Sequence, residues 1–147
     1  DLVYATPNAV FSTPFLDLGL VPEAGSSLLM PMRMGYARAF EMLVLGDTFS
    51  VEQAREAGFV NAIVGAELLD TTVMKVGRRL AQKPPEALIQ ARRLMRGETG
   101  PILERIDQEV VAFRDRLASP EAEEAFRAFF EKRKPDFAGA RARTSTG

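Results

Sequence analysis

Leu2-Val3-Tyr4-Ala5 reads as a β-strand, and the chain offers it little to pair with. A strand needs neighbours along its edges, and a lone two-stranded hairpin is marginal in water. After the turn Thr6-Pro7-Asn8, the run Ala9 to Ser12 reads as a second strand and supplies one neighbour. The chain starts on Asp1, with no initiator Met ahead of the strand. The expectation is that these 147 residues are the C-terminal part of a longer protein whose other half holds the rest of the sheet.

Most of the remaining chain is helical. Phe15 to Val21 is an apolar connection interrupted by Asp17 and Gly19. Pro22 suits a first helical position, so a short helix is predicted through about Met30, ended or kinked by Pro31. Met34 to Leu45 reads as the next helix, with Ala37, Phe40 and Val44 on one face. Ser50 and Gln53 have capping-box spacing for a helix ending near Gly58. "FVNAIV", residues 59 to 64, reads as a strand. Beyond it Leu69, Val73, Val76 and Leu80 share a helix face, and Pro84-Pro85 opens a helix through Met95. Leu103, Ile106, Val110, Phe113 and Leu117 make an apolar seam under three heptads long, which favours ordinary packing over a coiled coil. Ser119-Pro120 opens a last helix to about Lys134, acidic at its start and basic at its end, as the helix dipole favours. Residues from about 138 read as a disordered tail. The chain divides softly into 1–66, strands and short helices, and 67–147, amphipathic helices with no sheet to cover.

The residue inventory excludes several chemistries. There is no histidine and no cysteine, so Ser-His-Asp and Cys-His systems, thiolate or imidazole metal sites and a disulfide framework are absent from these residues. No metal site is expected. A net charge of −1 offers no general attraction to nucleic acid or to a membrane surface. No apolar run approaches the roughly 20 residues that span a bilayer. Carboxylates, lysines, tyrosines and hydroxyls are left for acid–base work.

Among the carboxylates Glu23 stands out, in "LGLVPEAGSS", residues 18 to 27. Two readings compete. Pro followed by Glu is an ordinary helix start, the carboxylate meeting the positive end of the dipole. A glutamate beside apolar Phe15, Leu18, Leu20 and Val21 also suits a general acid/base whose proton affinity is raised by that wall. Asp17 reads as a turn aspartate. Ser26 and Ser27 lack both a histidine and a Gly-x-Ser-x-Gly elbow, so they are not read as nucleophiles. Met30, Met32, Met34 and Met42 fill a core or line an adaptable apolar pocket.

The ordered series Asp-Leu-Val-Tyr-Ala, Phe11, Pro14, Leu18-Gly19-Leu20, Pro22-Glu23-Ala24-Gly25-Ser26-Ser27, Gly46-Asp47 and Ala54-Arg55-Glu56-Ala57-Gly58-Phe59-Val60-Asn61 resembles the second half of the crotonase, or enoyl-CoA hydratase/isomerase, superfamily core. Lys83-Pro84-Pro85 and Phe129-Phe130-Glu131-Lys132-Arg133-Lys134 resemble its helical tail. The resemblance implies an α/β fold, the C-terminal portion of a ββα spiral followed by an α-helical trimerisation region. It implies an acyl-CoA substrate, with coenzyme A carried by the substrate and no separate cofactor. It also implies a homotrimer or hexamer and an oxyanion hole in a preceding N-terminal half. Nucleic acid and membrane are not expected partners. A cytoplasmic location is expected, with peroxisome and mitochondrion left open.

Hydratases of the family use two glutamates, one of them directly after the proline that Pro14 matches. Here Phe15 takes that place. Δ3,Δ2-enoyl-CoA isomerases of peroxisomal type share the Pro-Phe pair and carry their glutamate where Glu23 stands. The resemblance therefore implies that Glu23 moves a proton from C2 to C4 of a 3-enoyl-CoA. Phe15 and Leu20 would line the acyl site. Phe129 and Lys132 would reach the coenzyme A nucleotide of a neighbouring subunit. Two alternatives stay open: a hydratase or other crotonase-fold reaction with its acid/base elsewhere, and a non-catalytic helical assembly module.

Overall fold

The computed structural model describes residues 1–144. Strands are few and minimal. β1 (Tyr4–Ala5) pairs in parallel with β4 (Ala62–Ile63), and β2 (Val10–Phe11) pairs antiparallel with β3 (Phe49–Ser50). The first two strands therefore do not form a hairpin. Ala9 N–H donates to the Thr6 carbonyl at 3.0 Å, and this turn sends the chain to a different partner. The expected strand over 59–64 shrinks to β4, flanked by bonds from Asn61 N–H to the Val3 carbonyl and from Val64 N–H to the Ala5 carbonyl.

The strands enclose α3 (Val51–Glu56), whose capping box forms as expected: Ser50 Oγ accepts from Gln53 N–H, and Gln53 Oε1 accepts from Ser50 N–H. Val51, Ala54, Val60 and Ala5 form one buried cluster. Met42, Phe49 and Ala57 form a second, packed by Met30 and Met34, and Phe11 touches both. Three of the four methionines singled out are thus core fillers, while Met32 is exposed.

The helix predicted from Pro22 starts later. α1 runs Ser26–Met34, because Ala24 and Gly25 adopt left-handed backbone and separate Glu23 from it. Pro31 does not end α1 but lies inside it, and its carbonyl accepts from Gly35 N–H at 3.0 Å. The single helix expected over 34–45 begins only after Gly35, as α2 (Tyr36–Phe40), and continues as a π-helical turn, Glu41–Leu45. The buried face is Ala39, Met42 and Leu43, spaced i, i+3, i+4, instead of the expected Ala37, Phe40 and Val44. Thr13 Oγ1 donates to the Met42 carbonyl at 2.7 Å, giving this turn an external partner.

α4 (Leu69–Ala81), α5 (Pro85–Arg96), α6 (Gly100–Leu117) and α7 (Pro120–Phe130) complete most of the chain. α7 stops short of the basic triplet, since Lys132 takes a left-handed φ of 54°. The stretch from 138 expected to be disordered is instead mostly helix α8, Phe137–Thr144, packed on α7 through buried Ala140. Residues 145–147 of the expected tail lie outside the described residues. Of the α6 seam, Leu103, Val110 and Leu117 are exposed, and Ile106 and Phe113 are half-buried. The face of α6 that packs on α1 carries Ile102, Ile106 and Glu109.

Candidate active site

The segment carrying Glu23 is built as two tight turns. Phe15, half-buried, starts a 3₁₀ turn over Leu16–Leu18, which ends on Gly19 at φ 70°. Leu20 N–H donates to the Phe15 carbonyl at 2.8 Å, and the Leu20 side chain is buried. Gly19 is required for its position as well as its φ. A Cβ there would sit 2.8 Å from the Ala122 backbone nitrogen at the start of α7.

The second turn lies just after Pro22. Ser26 N–H donates to the Glu23 carbonyl at 3.0 Å, closing a four-residue turn whose central residues are Ala24 (φ 58°) and Gly25 (φ 76°). Two successive positive φ values define a turn of the I′ kind, which favours glycine and is costly for alanine. Glu23 is exposed, and among the described residues no side chain pairs with its carboxylate. It is not in the first helical turn; it stands before the strained turn that precedes α1.

Glu109 of α6 reaches the same place from 84 residues away. Its Oε2 accepts from Gly25 N–H at 2.6 Å and its Oε1 from Ser27 N–H at 2.9 Å. It thereby fills two of the amide positions that a helix N-terminus leaves open. The sequence does not single out Glu109, because acidic residues in an amphipathic helix are ordinarily solvated. One signal was available: it falls three residues after Ile106 and four before Phe113, on their face.

Two cavities flank the 3₁₀ turn. One, of about 520 Å³, is lined by Leu16, Leu20 and Val21 on one side and Arg116, Glu121 and Phe137 on the other. Glu121 pairs with both Arg116 and Arg141 at its wall. The other, of about 510 Å³, lies between Pro14, Asp17, Leu18 and the α7 aromatics Phe126, Phe129 and Phe130. Leu20 thus lines the first cavity and Phe129 the second. Phe129 is otherwise exposed, in edge-to-face contact with Phe130. Phe15 and Glu23 line neither cavity, and Lys132 is exposed beyond the end of α7. Phe15, Leu20 and Glu23 are gathered on one continuous segment, Phe129 approaches it from α7, and Lys132 does not join them.

On α7 itself a second carboxylate is buried. Glu124 accepts from the Arg133 guanidinium and from Asp136 N–H, with Arg127 beside it. The Arg133 hydrogen bond, helped by the Asp136 amide, lowers its pKa to about 2. No helix among the described residues is long and apolar enough to cross a membrane.

Minimal strands wrapped by short helices, with a helical extension after them, are what the crotonase resemblance implies for a C-terminal portion of that fold. Known proteins bear this out and set the family. The chain belongs to the enoyl-CoA hydratase/isomerase family, whose model matches residues 1–140. It is 36% identical over 144 residues to the 1,2-epoxyphenylacetyl-CoA isomerase of Escherichia coli K12, covering 95% of this chain and 53% of that protein. It is 34% identical to the rat (Rattus norvegicus) enoyl-CoA delta isomerase 2, over 92% of this chain and 34% of the relative. The crystal structure of an enoyl-CoA hydratase/isomerase from Pseudoalteromonas atlantica T6c superposes with a TM-score of 0.89 at 38% identity, over 93% of this chain and 56% of that one. The chain spans about half the length of most of the curated relatives it matches.

Proposed function

We propose that the full-length protein moves the double bond of a 3-enoyl-CoA to the 2-position, with Glu23 as the proton carrier. The observation that carries this reading is the placement of Glu23: an exposed, unpaired carboxylate on a braced turn, with Phe15 where a second carboxylate would serve hydration. The name of the 34%-identical relative, an enoyl-CoA delta isomerase, supports migration over hydration.

The chemistry balances with one group. The Glu23 carboxylate takes a proton from C2, and the electron pair spreads through the double bond onto the thioester oxygen as a dienolate. The same carboxyl returns the proton at C4, leaving the 2-enoyl thioester. Nothing is oxidised or reduced, and no metal or separate cofactor is needed. By the family resemblance, the oxyanion donors belong to a segment preceding residue 1, so the 147-residue chain by itself should be inactive. Water addition would ask for a second activating group. Phe15 and Leu20 are proposed to wall the acyl site. Phe129 and Lys132 are proposed to contact coenzyme A bound mainly by a neighbouring subunit of a trimer or hexamer.

The test uses the full-length protein with a 3-enoyl-CoA and a 2-enoyl-CoA, measuring double-bond migration and water addition separately. Glu23→Gln should lower isomerisation by about 10²–10⁴-fold, the range for losing a positioned acid/base. Isomerisation unaffected by Glu23→Gln overturns the assignment, and water addition as the main reaction overturns the activity.

A further inference from the structure

Glu109 is 5% exposed, and among the described residues neither of its oxygens meets a cation. A carboxylate is rarely buried in this way unless its position matters, because water is the better solvent for its charge. Both oxygens are spent on backbone amides immediately after Glu23: Gly25 N–H at 2.6 Å and Ser27 N–H at 2.9 Å. The neighbouring cation, Arg105, points elsewhere, to Gln108 and the Ser27 hydroxyl.

We infer that Glu109 is a positioning residue for Glu23, bracing the left-handed turn from which the proton carrier projects. The inference rests on the reading of Glu23 as that carrier. The Gly25 amide belongs to the peptide plane that joins Ala24 to Gly25, so bonding it fixes the two dihedrals on either side of that plane. Ala24 sits at φ 58°, where an alanine has a more comfortable alternative nearby. Without the brace this turn relaxes, and the Cα of Glu23 moves with it. α6 is a suitable anchor, an 18-residue helix whose Ile102 and Ile106 lie against Gly25. The charge suits the site too, since an anion is favoured at a helix N-terminus. A glutamine is a poor substitute. It offers one acceptor oxygen, and its NH₂ would face an N–H donor.

The experiment compares full-length wild type, Glu109→Gln, Glu109→Asp, Val51→Ala, Glu23→Gln and the Glu23→Gln/Glu109→Gln pair. Each is assayed for 3-enoyl-CoA isomerisation well below its own Tm. Glu109→Gln should lower kcat by about 10- to 100-fold with KM nearly unchanged, as for a reacting group displaced by about an ångström. Glu109→Asp, which keeps the charge and both acceptors, should recover part of that loss. Val51→Ala should lower Tm and leave kcat alone, because it removes core packing at α3 but not the brace. The double variant should be no slower than Glu23→Gln. Wild-type kcat in Glu109→Gln, an equal fall in Val51→Ala, or independent losses in the double variant would each overturn the inference. If Glu109→Gln does not fold, Glu109→Asp set against Val51→Ala decides by the same split of kcat from KM. Full activity in Glu23→Gln sinks the carrier reading and this inference with it. A dead Glu23→Gln beside a fully active Glu109→Gln sinks this inference alone.

Discussion

Gly19 illustrates how tightly the segment before Glu23 is pressed onto the C-terminal helices. Its φ of 70° lies in the left-handed region, and a Cβ would meet the α7 backbone at 2.8 Å. The left-handed penalty is about 1–2 kcal/mol and overpacking adds about 1–3. Gly19→Ala should therefore destabilise the full-length protein by about 3 kcal/mol, read from the shift of its urea midpoint at constant slope. A loss under about 1 kcal/mol would show that α7 moves aside at little cost. At this scale the "LGLVPEAGSS" stretch was partly legible. It marked Glu23 but placed it at the helix start, and it gave no turn at Ala24-Gly25. It could not show that Ala24 takes a positive φ, because alanine carries no such preference. That conformation is imposed by what the turn is bonded to, and Glu109 lies 84 residues away.

Helix ends show the same division. The Ser50/Gln53 box was readable because both partners are local, and it forms. Ser50→Ala should cost about 1 kcal/mol, measurable by denaturant titration. The end of α7 departs from expectation for the opposite reason. Arg133 was expected in a basic last turn, complementing the dipole. Instead Glu124, 3% exposed, holds the Arg133 guanidinium and the Asp136 amide, and the chain turns back into α8. This pairing gives a pH dependence with a definite sign. The folded pKa of Glu124 is lowered from 4.5 to about 2, so its contribution is complete above about pH 4.5 and is lost as pH falls towards 2. Thermal melts of the full-length protein should show Tm falling through that window, and Glu124→Gln should lower Tm at pH 7 and flatten the fall. An unchanged slope in Glu124→Gln would mean that other carboxylates govern acid unfolding.

At the scale of the whole molecule, apolar surface is left over. Leu94 and Met95 on α5 are 85% and 88% exposed, and Phe129 and Phe130 at the end of α7 are nearly as bare. Adjacent large apolar side chains left this bare are suited to being covered by another surface. The proposed trimer or hexamer, together with the segment proposed to precede residue 1, accounts for them. Light scattering on the full-length protein should give the mass of three or six chains, and Leu94→Glu with Met95→Glu should shift it towards smaller species or lower its Tm. A monomeric wild type would overturn the assembly. The proposed division at about residue 66 has a companion expectation: limited proteolysis should cut between 65 and 68 before it cuts within α3.

What the sequence determined by itself was everything governed by local chemistry or by ordered motifs. That includes the family, the mostly helical balance, the capping box and the scarcity of strands. Tertiary structure decided the rest. It sent β1 to β4 instead of to β2, moved the start of α1 beyond a strained turn, folded residues 137–144 back as helix, and buried Glu109 and Glu124 against backbone amides. The physical reason is common to all four. A strand edge, a left-handed alanine and a buried carboxylate are each unfavourable in isolation, and each is stabilised by a group distant in the chain, which local periodicity cannot report.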